Sequence, residues 1–251
     1  MIPLGDDNRD RRIRPVVTWA LVAVNVLVFV LLQGFGANQR FTYAFSTVPR
    51  EIISGHDEVT PDRVMVDRST GRRVILPGLQ RTPVPVYVTI LFAMFMHAGI
   101  AHIAGNMLYL LIFGDNVEDR LGHLRFLLFY LFCGAAAALA HVYTSLWTGR
   151  DLGIPSLGAS GAISGVLGAY LLLFPRRRVR VLMFYSVQEV PALMAIGLWF
   201  VFQLINGLGY FGGGTGGGVA YAAHIGGFVA GFATVKLWGL GRRAPSGRFS
   251  R

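Results

Sequence analysis

Ser160, in the run Gly158-Ala159-Ser160-Gly161, opens one apolar stretch of the chain, and His224, in Ala222-Ala223-His224-Ile225-Gly226-Gly227, lies inside another. A serine hydroxyl is a weak nucleophile until an adjacent base takes its proton, and a neutral imidazole is such a base. Hydrocarbon penalises polar groups heavily, so an imidazole kept within an apolar span is by default a functional residue with a partner to be named. His224 is the single histidine in the last hundred residues, and Ser160 is read as its partner. His102 and Asn106 add a second chemistry. Their i, i+4 spacing puts them on one helix face, and both can donate a hydrogen bond from an uncharged side chain to an oxyanion developing in a water-poor site. A helix beginning at Ser160 would add its own free backbone N–H. Each residue alone has a plainer reading: Ser160 as an N-cap, His224 as an interhelical hydrogen-bonding residue, and the Gly227/Gly231 spacing as close helix packing.

The elements that must position these groups are membrane segments. Of the 251 residues, 53% are hydrophobic and 14% charged, and the mean hydropathy is +0.53, too apolar for an ordinary soluble domain of this length. Six segments are read as spans: Val16 to Leu32, Ala101 to Phe113, Leu124 to Leu146, Ser160 to Phe174, Pro191 to Leu208 and Val219 to Leu237. Val84 to Met96, broken by His97-Ala98-Gly99, reads as a membrane-embedded approach to the second. The fourth begins below the membrane surface, with Ser160 as its first residue. The first follows Arg11, Arg12 and Arg14, yet no small-residue cleavage site comes after it, so it reads as an uncleaved helix.

The net charge of +10 is spread in blocks between apolar segments rather than gathered in one patch, which argues against nucleic-acid binding and for membrane orientation. Arg9, Arg11, Arg12 and Arg14 precede the first span, Arg120 and Arg125 follow the second, Arg176, Arg177, Arg178 and Arg180 follow the fourth, and Lys236, Arg242, Arg243, Arg248 and Arg251 close the chain. Positive residues favour the cytoplasmic side. Both termini are therefore expected there, with residues 1–15 and 241–251 as tails flanking a membrane domain of residues 16–240. The seven arginines of the loop 33–83 then fall outside, a conflict that the weak charge dependence of long-loop translocation resolves. Within that loop, Val64-Met65-Val66 and Val74-Ile75-Leu76 flank a polar turn and read as a hairpin. The glycine run Gly212 to Gly218 reads as a flexible connector. With this topology the second, fourth and sixth spans run inward, and Ser160, His224, His102 and Asn106 share one depth toward the outer face.

Other intramembrane chemistries fit less well. There is no HExxH for a zinc protease, Gly114-Asp115 lacks the GxGD arrangement and a second intramembrane aspartate, and the lone Cys133 makes neither a disulfide nor a zinc site. The scarcity of carboxylates in the spans weakens a proton-coupled transporter. No metal or cofactor is expected.

An HxxxN, then GASG, then a distant AHxxGxxxG, in that order along the chain, resemble the rhomboid family of intramembrane serine proteases, over about Thr89 to Leu237. The block His97 to Asn106 and the stretch Gly114-Asp115-Asn116-Val117-Glu118-Asp119-Arg120-Leu121-Gly122 belong to the similarity. The resemblance implies an all-α, six-helix membrane bundle with a long first external loop and a Ser/His dyad without an acidic third member. Ser160 matches the nucleophile, His224 the general base, and His102 and Asn106 the oxyanion side chains. Gly158 matches the glycine of the turn before the serine, and Gly227 the one that lets the sixth helix pack on the fourth, with Gly161 and Gly231 as further structural support. One departure stands out: where the family often carries an aromatic residue one turn after the serine, against the histidine, this chain has Ser164. The imidazole must then be held by other neighbours. The implied activity is cleavage of peptide bonds in or near transmembrane segments of membrane-protein substrates, within a bacterial inner membrane. The alternative is a non-catalytic relative that binds or routes client proteins. Oligomeric state is not readable.

Overall fold

A computed structural model describes residues 1–66, 73–211 and 221–240 of the chain. It begins with strand β1 (Ile2–Asp6). Helix α1 (Val16–Leu27) follows and continues as one π turn, Val28–Leu32. Two short helices, α2 (Gln39–Ala44) and α3 (Pro49–Ser54), and a strand pair, β2 (Arg63–Val66) with β3 (Arg73–Leu76), form the first long connection. The approach segment Val86–Phe95 is a short α-helix, α4 (Thr89–Phe92), between two 3₁₀ turns. Then come α5 (Ile100–Leu121), α6 (His123–Thr148), α7 (Ser160–Leu173), strands β4 (Arg178–Met183) and β5 (Ser186–Pro191), α8 (Ala192–Phe211) and α9 (Tyr221–Trp238).

Among the described residues, α5 and α6 are long and apolar enough to cross a membrane, whereas Val16–Leu32, Val86–Phe95, Ser160–Leu173 and Ala192–Leu208 are shorter apolar helices. The chain is mostly helical, but not purely so. β1, β4 and β5 form an antiparallel sheet in the order β1-β4-β5, where the sequence reading has only a basic loop. Alternation explains it: Val179, Val181 and Val190 turn into the hydrophobic core, while Arg178 and Arg180 face out. The two-residue turn consists of Phe184 and Tyr185, both at positive φ (49° and 64°). Hairpin turns of this kind favour Asn-Gly, so the sequence carries no turn signal there. β2 and β3 pair from Arg63↔Leu76 to Val66↔Arg73. The turn between them, the glycine run Gly212 to Gly218 and the tail 241–251 lie outside the described residues.

α5 runs past Phe113 to Leu121, although Asp115, Asn116 and Glu118 are polar. Each finds a partner from the N-terminal segment, so burial does not strand it. Arg11 pairs with Asp115 at 2.7 Å. Asn116 Nδ2 donates to Asp6 at 2.7 Å. The Glu118 carboxylate accepts from the backbone N–H groups of Val17 and Thr18 (2.9 and 2.7 Å) and from the Thr18 hydroxyl (2.7 Å), satisfying the open first turn of α1. Gly122, at φ 80°, makes the turn from α5 into α6.

α7 occupies the centre of the bundle, with every residue from Gly161 to Tyr170 buried. It meets α9 almost backbone to backbone. A Cβ added at Gly227 would overlap the Gly161 carbonyl, one at Gly231 the Gly165 carbonyl, and one at Gly168 the Phe228 carbonyl. On the α6 side a Cβ at Gly161 would lie 2.6 Å from the Ala137 methyl carbon. Such small-residue seams are how helices associate where water supplies no hydrophobic drive. Here the seam sets the distance between the helix that begins at Ser160 and the helix that carries His224.

Candidate active site

Ser160 stands at the first turn of α7 because the chain before it is pinned from outside the helix. Thr47 and Ser156 exchange backbone hydrogen bonds (3.0 and 2.8 Å), and the Gly158 N–H donates to the Ala93 carbonyl at 2.8 Å. Gly158 holds φ 122°, and a Cβ there would sit 2.8 Å from the His102 ring. Only glycine meets both demands.

His224, one turn into α9, faces this point. Its Nε2 lies 2.8 Å from Ser160 Oγ, and its Nδ1 lies 2.9 Å from Gln203 Oε1 on α8. An amide oxygen can only accept, so Nδ1 carries the proton and Nε2 is left to accept from the serine hydroxyl. That is the tautomer a general base requires. Trp199, one turn before Gln203, is tilted against the imidazole, with ring centroids 6.2 Å apart and planes at 36°.

His102 is fixed in the complementary way. Its Nδ1 accepts from the Ala98 N–H at 3.3 Å, which leaves its proton on Nε2, the nitrogen nearer Gly158. Its ring rests edge-on against the fully buried His97, at 5.1 Å and 70°. His97 is in turn clamped by the Gln33 side chain, whose Oε1 accepts from the His97 N–H (2.8 Å) while Nε2 donates to its carbonyl (2.9 Å). Asn106 is buried, and its Nδ2 has no hydrogen-bond partner among the described residues. Buried amides are seldom left unspent, and this one lines the same cavity as Ser160, His102 and His224. That cavity, about 1230 Å³, opens between α5, α6, α7 and the loop before α7.

The structure thus gathers Ser160, His224, His102 and Asn106, with Gly158 and Gly161 beside them and Gly227 and Gly231 in the helix seam. His141, to which the sequence reading gives no role, also lines the cavity. Gln203 and Trp199 are absent from that reading. The signal for Gln203 is a lone amide among the apolar residues Leu193 to Ile205, which deserves the same suspicion as His224. Ser164 gives the imidazole nothing: its hydroxyl donates to the Ser160 carbonyl at 2.7 Å.

A family model of the rhomboid domain matches residues 85–240, more than half of the chain. The chain belongs to the rhomboid family. This rhomboid is 28% identical to the rhomboid protease GluP of Bacillus subtilis over 94% of its own length and 37% of the other's. It is 31% identical to the mitochondrial rhomboid protein 1 of Saccharomyces cerevisiae over 61% of its length and 42% of the other's. The human mitochondrial presenilin-associated rhomboid-like protein is 30% identical over 62% of this chain and 42% of its own. The rhomboid therefore spans about two fifths of the length of these curated relatives.

Proposed function

We propose that this rhomboid is an intramembrane serine endopeptidase that cleaves peptide bonds in or near the spanning segments of membrane proteins. The observation that carries the proposal is the 2.8 Å contact from Ser160 Oγ to His224 Nε2, in a cavity that also holds an unspent amide donor. Ser160 Oγ attacks the scissile carbonyl as its proton passes to His224 Nε2. The tetrahedral oxyanion accepts from Asn106 Nδ2, His102 Nε2–H and the Ser160 N–H. When the C–N bond breaks, His224 returns the proton to the leaving amine. Water then repeats the sequence on the acyl-enzyme, with His224 again as base.

In this reading α1 with its π turn, α5, α6, α7, α8 and α9 are the six spans, residues 33–83 are external and both termini are cytoplasmic. Support comes from the charge distribution. The arginines of the N-terminal segment and of β4 gather at the sheet end of the bundle, with Arg177 paired to Asp10 at 2.5 Å, opposite Ser160. Of the external arginines, Arg40 pairs with Asp62 (2.5 Å) and Arg50 with Glu58 (3.5 Å), which moderates the charge to be carried across. Placement in a bacterial membrane rests on the match to the Bacillus subtilis protein.

The test uses detergent-solubilised protein, a model transmembrane substrate and a fluorophosphonate probe. Wild type is expected to cleave and to label, and Ser160→Ala to do neither. A wild type that does neither, or a Ser160→Ala variant equal to it, removes the protease reading and leaves a client-binding role.

A further inference from the structure

The first turn of α7 supplies no ring to hold His224, since Ser164 is spent on the Ser160 carbonyl. The support comes from a different helix. Trp199 and Gln203 are four residues apart on α8, hence on one face, and both meet the imidazole, one as a tilted ring beside it and one at Nδ1. We infer that Gln203 is a positioning residue of the dyad, which fixes the ring of His224 and keeps its proton on Nδ1, with Trp199 limiting the tilt of the ring. The inference rests on the Ser160/His224 reading of the site.

The burial of Gln203 points the same way. Only 6% of the residue is exposed, and an amide in an apolar span is costly if its polar atoms go unpaired. Its Oε1 is directed at the one nitrogen whose protonation decides whether Nε2 can act as base. A plain interhelical hydrogen bond would serve to join α8 to α9 whichever ring nitrogen it met. Being neutral, Gln203 orients the imidazole without the charge that a carboxylate would set against the imidazolium. Its loss therefore costs a fraction of the 10²- to 10⁴-fold or so that a positioned general base contributes. A further consequence is that the dyad is complete only while α8 lies against α9.

The test has two arms. In wild-type protein labelled with ¹⁵N-histidine, with His224 assigned by comparison with His224→Ala, the ring is expected as the neutral Nδ1–H tautomer, and an Nε2–H tautomer overturns the inference. This arm needs no turnover, so it stands apart from the protease test. In the second arm, Gln203→Met, similar in shape but without an acceptor, is expected to lower kcat by about 10- to 100-fold with KM within about twofold. Gln203→Glu, which keeps an oxygen at Nδ1, is expected to recover most of that loss. A Met variant within about threefold of wild type, or Met and Glu variants that lose alike, would show that the side chain only packs.

Discussion

At the scale of single residues, His224 and His102 each have one ring nitrogen spent on the fold and leave the other facing the cavity. His224 gives Nδ1 to Gln203 and keeps Nε2 for the serine. His102 spends Nδ1 on the Ala98 N–H. Asn106 Nδ2 stands without a partner among the described residues. In the proposed reaction that donor matters only once negative charge forms on the substrate oxygen. Asn106→Ala is accordingly expected to raise the barrier by about 2.7–4 kcal/mol, or roughly 10²- to 10³-fold in kcat, while fluorophosphonate still finds Ser160. Steady-state cleavage and thermal unfolding measured side by side check it: a loss of activity that tracks a loss of folding would count against the oxyanion role. The serine, both histidines and Asn106 were legible in the sequence, because polar residues in apolar runs stand out and i, i+4 spacing defines a helix face. Gln203 was overlooked because its significance lies in what it touches across two helices.

At the scale of elements, the decisive contact is α7 against α9. Gly231 has no room for a side chain beside the Gly165 carbonyl, and the obstructing atom is backbone, which cannot rotate away. Gly231→Val should separate the helices at a cost of about 1–3 kcal/mol or more. Because α9 carries His224, the same change should lower fluorophosphonate labelling in whatever fraction remains folded. A variant with unaltered melting temperature and labelling would disprove the tight seam. The β4–β5 hairpin makes a different point. Phe184 and Tyr185 occupy left-handed backbone at roughly 1–2 kcal/mol per residue, and both side chains are exposed. Replacing them by Asn and Gly should therefore raise thermal stability, by about 1 kcal/mol or more; a lower melting temperature would show that the aromatic rings contribute contacts that outweigh the strain. The helices were legible from hydropathy, but the end of α5 was not. A hydropathy window stops at the first acidic residue, whereas the helix continues to Leu121 because Arg11, Asp6 and Thr18 provide partners.

At the scale of the whole molecule, the N-terminal strand docks against residues far along the chain and closes one face of the bundle. Asp6 of β1 accepts from the Tyr170 hydroxyl of α7 (2.6 Å) and from Asn116 Nδ2 of α5 (2.7 Å). Burial, outweighing these donors and Arg177, raises its carboxyl from the ordinary 3.8 to about 6. A folded-state value above the free one means that the docked strand holds the proton more tightly. Its contribution is then greatest below about pH 4, falls as pH rises toward 6 and levels off beyond. Amide hydrogen exchange in residues 2–6, corrected for intrinsic rates, is expected to show stronger protection at pH 5 than at pH 7.5, and Asp6→Asn to remove the difference. Equal protection at both values, or stronger protection at pH 7.5, would contradict the assignment. The sequence by itself determined the membrane class, the family resemblance and the four polar residues of the candidate site, since composition, hydropathy and spacing are local properties carried by each segment alone. Tertiary structure decided how far α5 extends, that a basic connection becomes a sheet with β1, and that a side chain of α8 meets Nδ1 of the imidazole. Each of these depends on the partner a polar group finds, and such partners lie far off in the chain: Asp6 and Tyr170 are 164 residues apart, His224 and Gln203 belong to different helices.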